Sequence, residues 1–166
     1  MAAYTAADLP AQGKGSRGPA PYLVERELDI AAQITENGAD YAAGDTETMI
    51  NVPKGTAILA AGIEVLTSAT GTTGTVDLGF TGGVVDKYVD GLDIVGASDG
   101  DYGSTPATEA AQIMITTAAD TIDLKFVTED ALTAGKLRVW AVLMDVNAIG
   151  NKHAAIAAND VAPAQT

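Results

Sequence analysis

The sequence predicts an all-β protein, an antiparallel β-sandwich of jelly-roll-like form. Three observations carry this. Apolar and polar residues alternate with a period of two in short runs between residues 22 and 146, the signature of half-buried strands. The runs are separated by clusters of Gly, Pro, Thr and Asp, the residues that close turns. No amphipathic stretch of about twelve residues lies between them, so parallel βαβ units are not expected.

The first strand is expected at residues 22–30, with Tyr22, Val24, Leu28 and Ile30 on one face and Glu25, Glu27 and Asp29 on the other. Residues 47–52 form a second strand, ended by Pro53, which lacks the amide that a ladder needs. A third spans 57–66, with Leu59, Ala61, Ile63 and Val65 alternating against Glu64. The Gly/Thr segment 67–74 has the composition of a hairpin loop, and residues 75–80 return with Val76, Leu78 and Phe80 inward. Residues 81–109 read as a long irregular excursion with one helical turn near 85–89. A strand is expected from Ala110 to Thr117 and another at 121–126. A turn over 128–134, closed by Gly135, leads into the last and most apolar strand, 136–146.

Three regions follow. Residues 1–21 are too rich in Gly and Pro for helix or central strand and read as an extended N-terminal arm. Residues 22–146 are the sandwich. Residues 147–166 form an alanine-rich tail, weakly helical near 152–158, with few large side chains to bury. The net charge of −13 is uneven: the arm, with Lys14 and Arg17, is net positive, the tail is neutral, and the sandwich holds 20 acidic and six basic side chains.

This balance argues against nucleic acid and anionic lipid as partners, since both repel an acidic surface. No apolar run reaches the roughly 20 residues that span a bilayer, and the N-terminus has no signal-peptide pattern, so assembly in the cytoplasm is expected. There is no cysteine and only one histidine, His153, which excludes thiolate sites and poly-histidine centres and removes the usual catalytic base. Phosphate-cradling glycine motifs are absent: Gly71-Thr-Thr-Gly74 is too short and has no Lys-Ser/Thr end. No enzymatic activity and no cofactor are expected.

Two features stand out as candidate sites. The excursion gathers Asp86, Asp90, Asp93, Asp99 and Asp101. Asp99 and Asp101 have the alternating spacing of a calcium loop, yet no glutamate or flanking helices complete such a loop, and Asp and Gly also dominate ordinary turns. Ordinary turn chemistry is the expectation, with Asp99 and Asp101 as weak metal candidates. The last strand is apolar on both faces: Leu137, Val139, Ala141 and Leu143 on one, and Trp140, Val142, Met144 and Val146 on the other. A sandwich strand ordinarily wets one face, so the second requires a cover, from the same chain or from another subunit. Trp140, Val142 and Met144 are therefore interface candidates, with Lys14 and Arg17 on the arm. Tyr88 and Tyr102 in the excursion are further possible contacts.

Ile50-Asn-Val-Pro-Lys-Gly-Thr56, Ala61-Gly-Ile-Glu-Val65, Thr75-Val-Asp-Leu-Gly79, Ala118-Ala-Asp-Thr-Ile-Asp-Leu124 and Gly135-Lys-Leu-Arg-Val-Trp-Ala-Val142 carry a resemblance. Over residues 47–146 the chain resembles the capsid decoration (cement) proteins of tailed bacteriophages. The resemblance implies a β-sandwich on the capsid exterior of the virion, bound to the major capsid protein, homotrimeric and without enzymatic role. The alternative is a head-fibre or receptor- or carbohydrate-binding module using the 81–109 loop. Eight aromatic residues and no repeats give such a module little to stack on and no shaft.

Overall fold

The computed structural model describes residues 20–103 and 113–146. Nine strands and one helix follow in the order β1 (Tyr22–Asp29), α1 (Ile30–Asn37), β2 (Thr46–Val52), β3 (Thr56–Thr70), β4 (Thr73–Gly79), β5 (Val89–Asp93), β6 (Tyr102–Gly103), β7 (Met114–Ile115), β8 (Asp120–Asp130) and β9 (Ala134–Asp145). They form two antiparallel sheets. One has the order β1-β9-β3-β6, with β7 also pairing with β3; the other has the order β2-β8-β4-β5. The predicted all-β sandwich is the fold observed.

Alternation explains how the layers close. Leu137, Val139, Ala141 and Leu143 of β9 are fully buried, as are Val76 and Leu78 of β4 and Ile122, Leu124 and Phe126 of β8. Facing residues of the two sheets form one core, the arrangement that lets a sandwich exclude water from a single layer of side chains. The ring of Tyr41 stacks on Phe126 with centroids 4.0 Å apart, and its hydroxyl donates to Glu47 (3.0 Å). Burial beside this carboxylate pushes the Tyr41 phenol well above its ordinary pKa.

Several expectations are corrected. Ile30 does not end β1 but opens α1. Asp29 caps this helix, its carboxylate accepting from the Ala32 amide (3.1 Å), and Gly38 closes it in the left-handed conformation at φ 66°. In β3 the register shifts between Ile58 and Ala60, so Ile58 takes the buried place and Leu59 is only half-buried. The 67–74 segment is not a hairpin between paired strands. β3 runs on to Thr70, and β4 begins at Thr73 in the other sheet, paired with β8 and β5. At 85–89 the chain makes only a turn at residues 85–86, with no helix, before β5 begins at Val89. The excursion instead holds β5 and β6, and its backbone at Val84 and Val85 lies so close over Gly79 that a Cβ there would clash with the Val84 oxygen. Of the strand expected from Ala110 to Thr117, residues 113–117 are described, and among them only Met114–Ile115 form strand, as β7. The arm to residue 19, with Lys14 and Arg17, and the tail 147–166, with His153, lie outside the described residues.

Candidate interaction surfaces

The acidic excursion is built as turns. Asp93 Oδ1 accepts from the amides of Val95 (2.9 Å) and Gly96 (2.8 Å). Asp99 Oδ1 accepts from the Ser68 amide on β3 (2.9 Å), and Asp101 Oδ2 from the Ser98 amide (2.7 Å). The same loop is clipped to β3 by Gly100 donating to the Val65 oxygen (2.7 Å) and Val65 donating to the Asp101 oxygen (2.8 Å). These carboxylates orient backbone rather than converge on a point. Among the described residues no group of three or more acidic, histidine or cysteine side chains is placed to hold a metal ion. Tyr88 is buried rather than a contact residue, edge-on to Phe80, while Tyr102 is 62% exposed.

The two outer faces of the sandwich differ sharply. On the β2-β8-β4-β5 sheet the outward ones among the described residues are mostly threonines and charges, with Val127 of β8 a lone exposed apolar side chain among them. Thr46 lies across from Lys125, and Lys125 in turn from Asp77. Thr48 lies across from Asp123, and the hydroxyls of Thr75 and Thr128 are 2.7 Å apart. Asp77 accepts from the Gly91 amide (2.8 Å) and Asp123 from the Thr81 amide (3.1 Å). Burial, reinforced by Asp90 and Asp86, raises the Asp77 pKa against the lowering effect of the Gly91 amide and Lys125.

The outer face of the β1-β9-β3-β6 sheet reads in rows across the strands. At one end Ile115, Ala57 and Met144 are neighbours, followed by Leu23, Val142 and Ala60. Next come Glu25, Trp140 and Gly62, and last Glu27, Arg138, Glu64 and Tyr102. The face thus grades from apolar to charged. Gly62 is required in its centre. The Trp140 indole lies against it so closely that a Cβ would sit 2.7 Å from Cζ2 and 2.9 Å from the Gly103 oxygen. At the charged end Arg138 bridges two strands, donating to Glu64 (3.1 Å) and Glu27 (3.2 Å), and Lys136 pairs with Asp29 at 2.9 Å.

β9 is therefore apolar on both sides for two different reasons. One side is core. The other, with the interface candidates Trp140, Val142 and Met144, is half-covered by its own sheet neighbours. β9 has β1 on one side and β3 on the other, so any partner meets its face and not its edge. Leu23, Ile115 and Gly62 complete this face. Leu23 was not singled out in the sequence; it shares a face with Glu25 and Glu27 by parity, and their meeting with Trp140 depends on cross-strand register, which alternation does not contain.

This is a two-sheet sandwich with one polar and one partly apolar outer face. Its fold is shared with chains from phage capsids. One, from the capsid asymmetric unit of cyanophage Pam1, is 18% identical, with a TM-score of 0.58 over 87% of this chain and 99% of the other. Another, from the capsid of Ralstonia phage GP4, is 15% identical, with a TM-score of 0.55 over 76% of this chain and 84% of the other. A weaker likeness, 19% identical with a TM-score of 0.46 over 74% of this chain and 86% of the other and too low to speak for a shared fold, is to a chain from the capsid of Helicobacter pylori bacteriophage KHP30. No protein-family model and no curated protein matches the sequence.

Proposed function

We propose that this chain is a structural protein of a phage virion that binds the outer surface of the capsid and stabilises the shell, as a decoration or cement protein does. The observation that carries the reading is the Pam1 match, in which virtually the whole of a chain from a phage capsid is spanned by this fold. The half-covered apolar face around Trp140 supports it, because a protein that acts by adhesion needs a surface better satisfied in a complex. So does the winding of the chain. β1, β2, β3 and β4 alternate between sheets, and β8 and β9 repeat the crossing, which suits a jelly-roll-like sandwich. The reading is non-enzymatic. The partner is the major capsid protein, and closed three-fold symmetry would match a homotrimer to three-fold positions of the lattice.

The test is to add the purified chain to shells of the phage that encodes it and follow co-sedimentation and heat resistance. Saturable binding that raises the temperature of shell rupture is expected. No binding, together with absence of the chain from purified virions, overturns the reading. Light scattering on the free chain tests the trimer, which a mass near 16.8 kDa excludes.

A further inference from the structure

We propose that the outer face of the β1-β9-β3-β6 sheet is the capsid-facing side. It would dock on a surface that is apolar at its centre and carries lysine or arginine opposite Glu25 and Glu27, leaving the aspartate–threonine face of the other sheet in water. This rests on the capsid-binding reading and adds which face binds and what chemistry meets it.

The distribution of exposed apolar side chains argues for it. Of the exposed large apolar side chains among the described residues, Leu23 (61% exposed), Tyr102 and Ile115 lie on this face and Ile113 immediately precedes β7, while Val84 lies in the loop after β4 and Val127 stands alone on the outer side of β8. With Val142, Met144 and Trp140 between them they make a continuous patch, the kind of surface that marks a binding site rather than scattered exposure. The indole Nε1 of Trp140 is buried with no acceptor among the described residues. A tryptophan at the centre of such a patch, rimmed by polar groups, is the usual anchor of an interface.

Charge then selects the partner. At the polar end, among the described residues, two cations meet four carboxylates: Lys136 pairs with Asp29 and also feels Glu27, and Arg138 faces Glu25, Glu27 and Glu64. Two copies packed face to face would bring these glutamate rows together, and like charges across an interface are unfavourable. A cationic rim on a different protein is favoured instead. The opposite sheet offers no comparable patch. Asp77 and Asp123 are already buried, but docking there would have to strip water from the threonine hydroxyls and from Asp90 and Asp93 of β5, whereas facing solvent these exposed groups keep a densely decorated particle dispersed.

The test compares two substitutions on the proposed face with one of equal charge on the other. Leu23→Glu and Val142→Glu should each weaken binding to the shells at least about tenfold, and Thr46→Glu should leave it unchanged. Two positions on the proposed face are used because Val142 is half-buried, while Leu23 is exposed on β1. If the wild type binds and Thr46→Glu alone weakens it, or if none of the three does, the face is wrong although the capsid reading stands. If the wild type does not bind, the capsid reading itself fails. Trp140 is the only tryptophan, so 5-hydroxytryptophan at this position reports the face directly. Its quenching by iodide should fall when shells are added. Full protection already in the free chain would show that the chain or a second copy covers the face, and would overturn the proposal.

Discussion

Gly62→Ala probes the centre of the apolar face with one added methyl group. Its Cβ would meet Trp140 Cζ2 at 2.7 Å and the Gly103 oxygen at 2.9 Å, well inside the 3.5–4.0 Å at which carbon contacts are favourable. The indole can tilt away, but the Gly103 oxygen is backbone, held by the pairing of Gly103 with Ile63. Relief must therefore come from both the ring and the β3–β6 ladder. Overpacking of this kind costs about 1–3 kcal/mol, and alanine returns about 0.4–1 kcal/mol by stiffening the unfolded chain. The net loss is about 1–2 kcal/mol, which with an m-value of about 2 kcal/mol/M lowers the urea midpoint by about 0.5–1 M. Urea unfolding followed by Trp140 emission reads both effects, because the native spectrum should also shift as the ring lifts. In a Trp140→Leu background, followed by circular dichroism, the same substitution should cost less. A Gly62→Ala protein with the wild-type midpoint and spectrum would refute the packing of the indole on Gly62, and with it the description of this face.

Asp77 has its pKa raised by burial, so its folded form holds a proton more readily than its unfolded form. Its contribution is most favourable below the ordinary carboxylate range and is lost as pH rises through the raised value. Asp77→Asn should therefore raise the melting temperature at neutral pH, an advantage that shrinks on acidification. Leu132, fully buried where the β8–β9 turn folds back on the core, should cost about 2–5 kcal/mol when cut to alanine, measured by denaturant unfolding. Chelator should leave the melting temperature unchanged, since Asp93, Asp99 and Asp101 accept backbone amides. A calcium ion present at about a hundredfold over its dissociation constant would have contributed about 2.7 kcal/mol, and its removal would show in a thermal melt. Residues 1–21, with Lys14 and Arg17, should be clipped by protease in the free protein and protected on the particle, as mass spectrometry of the digests can show.

The strands were legible where one face is core and the other polar, as in β1, β4 and β8, because burial on one side imposes a period of two. α1 was not. Its eight residues follow β1 without a break, and the capping Asp29 is also the last outward residue of that strand. β5 was missed because Val89-Asp-Gly-Leu-Asp93 has turn composition, and what makes it a strand is its pairing with β4. The register shift in β3 moved the buried position from Leu59 to Ile58, which no local pattern announces. Trp140, Val142 and Met144 were visible because two-sided apolarity is local. Leu23, Gly62 and the Arg138–Glu27–Glu64 cluster required three strands to be placed side by side.

The outer faces acquire opposite character from the positions of their central strands. β9 lies between β1 and β3, and its outward residues change from Arg138 through Trp140 and Val142 to Met144 within four rows. β8 lies between β2 and β4, and its outward residues are Thr121, Asp123 and Lys125, with a single apolar one, Val127, beyond them. Core burial asks the same of both strands, inward Leu, Ile, Val or Phe, so it cannot account for the difference. The half-buried indole, whose N–H meets no acceptor among the described residues, lies on the side of β9 away from the core. A sandwich serving only its own stability would gain by placing polar residues there, as it does on β8. The retained apolar row is explained by contact with something other than this sheet's own core, and the glutamates beside it favour a cation-bearing partner over another copy of the same face.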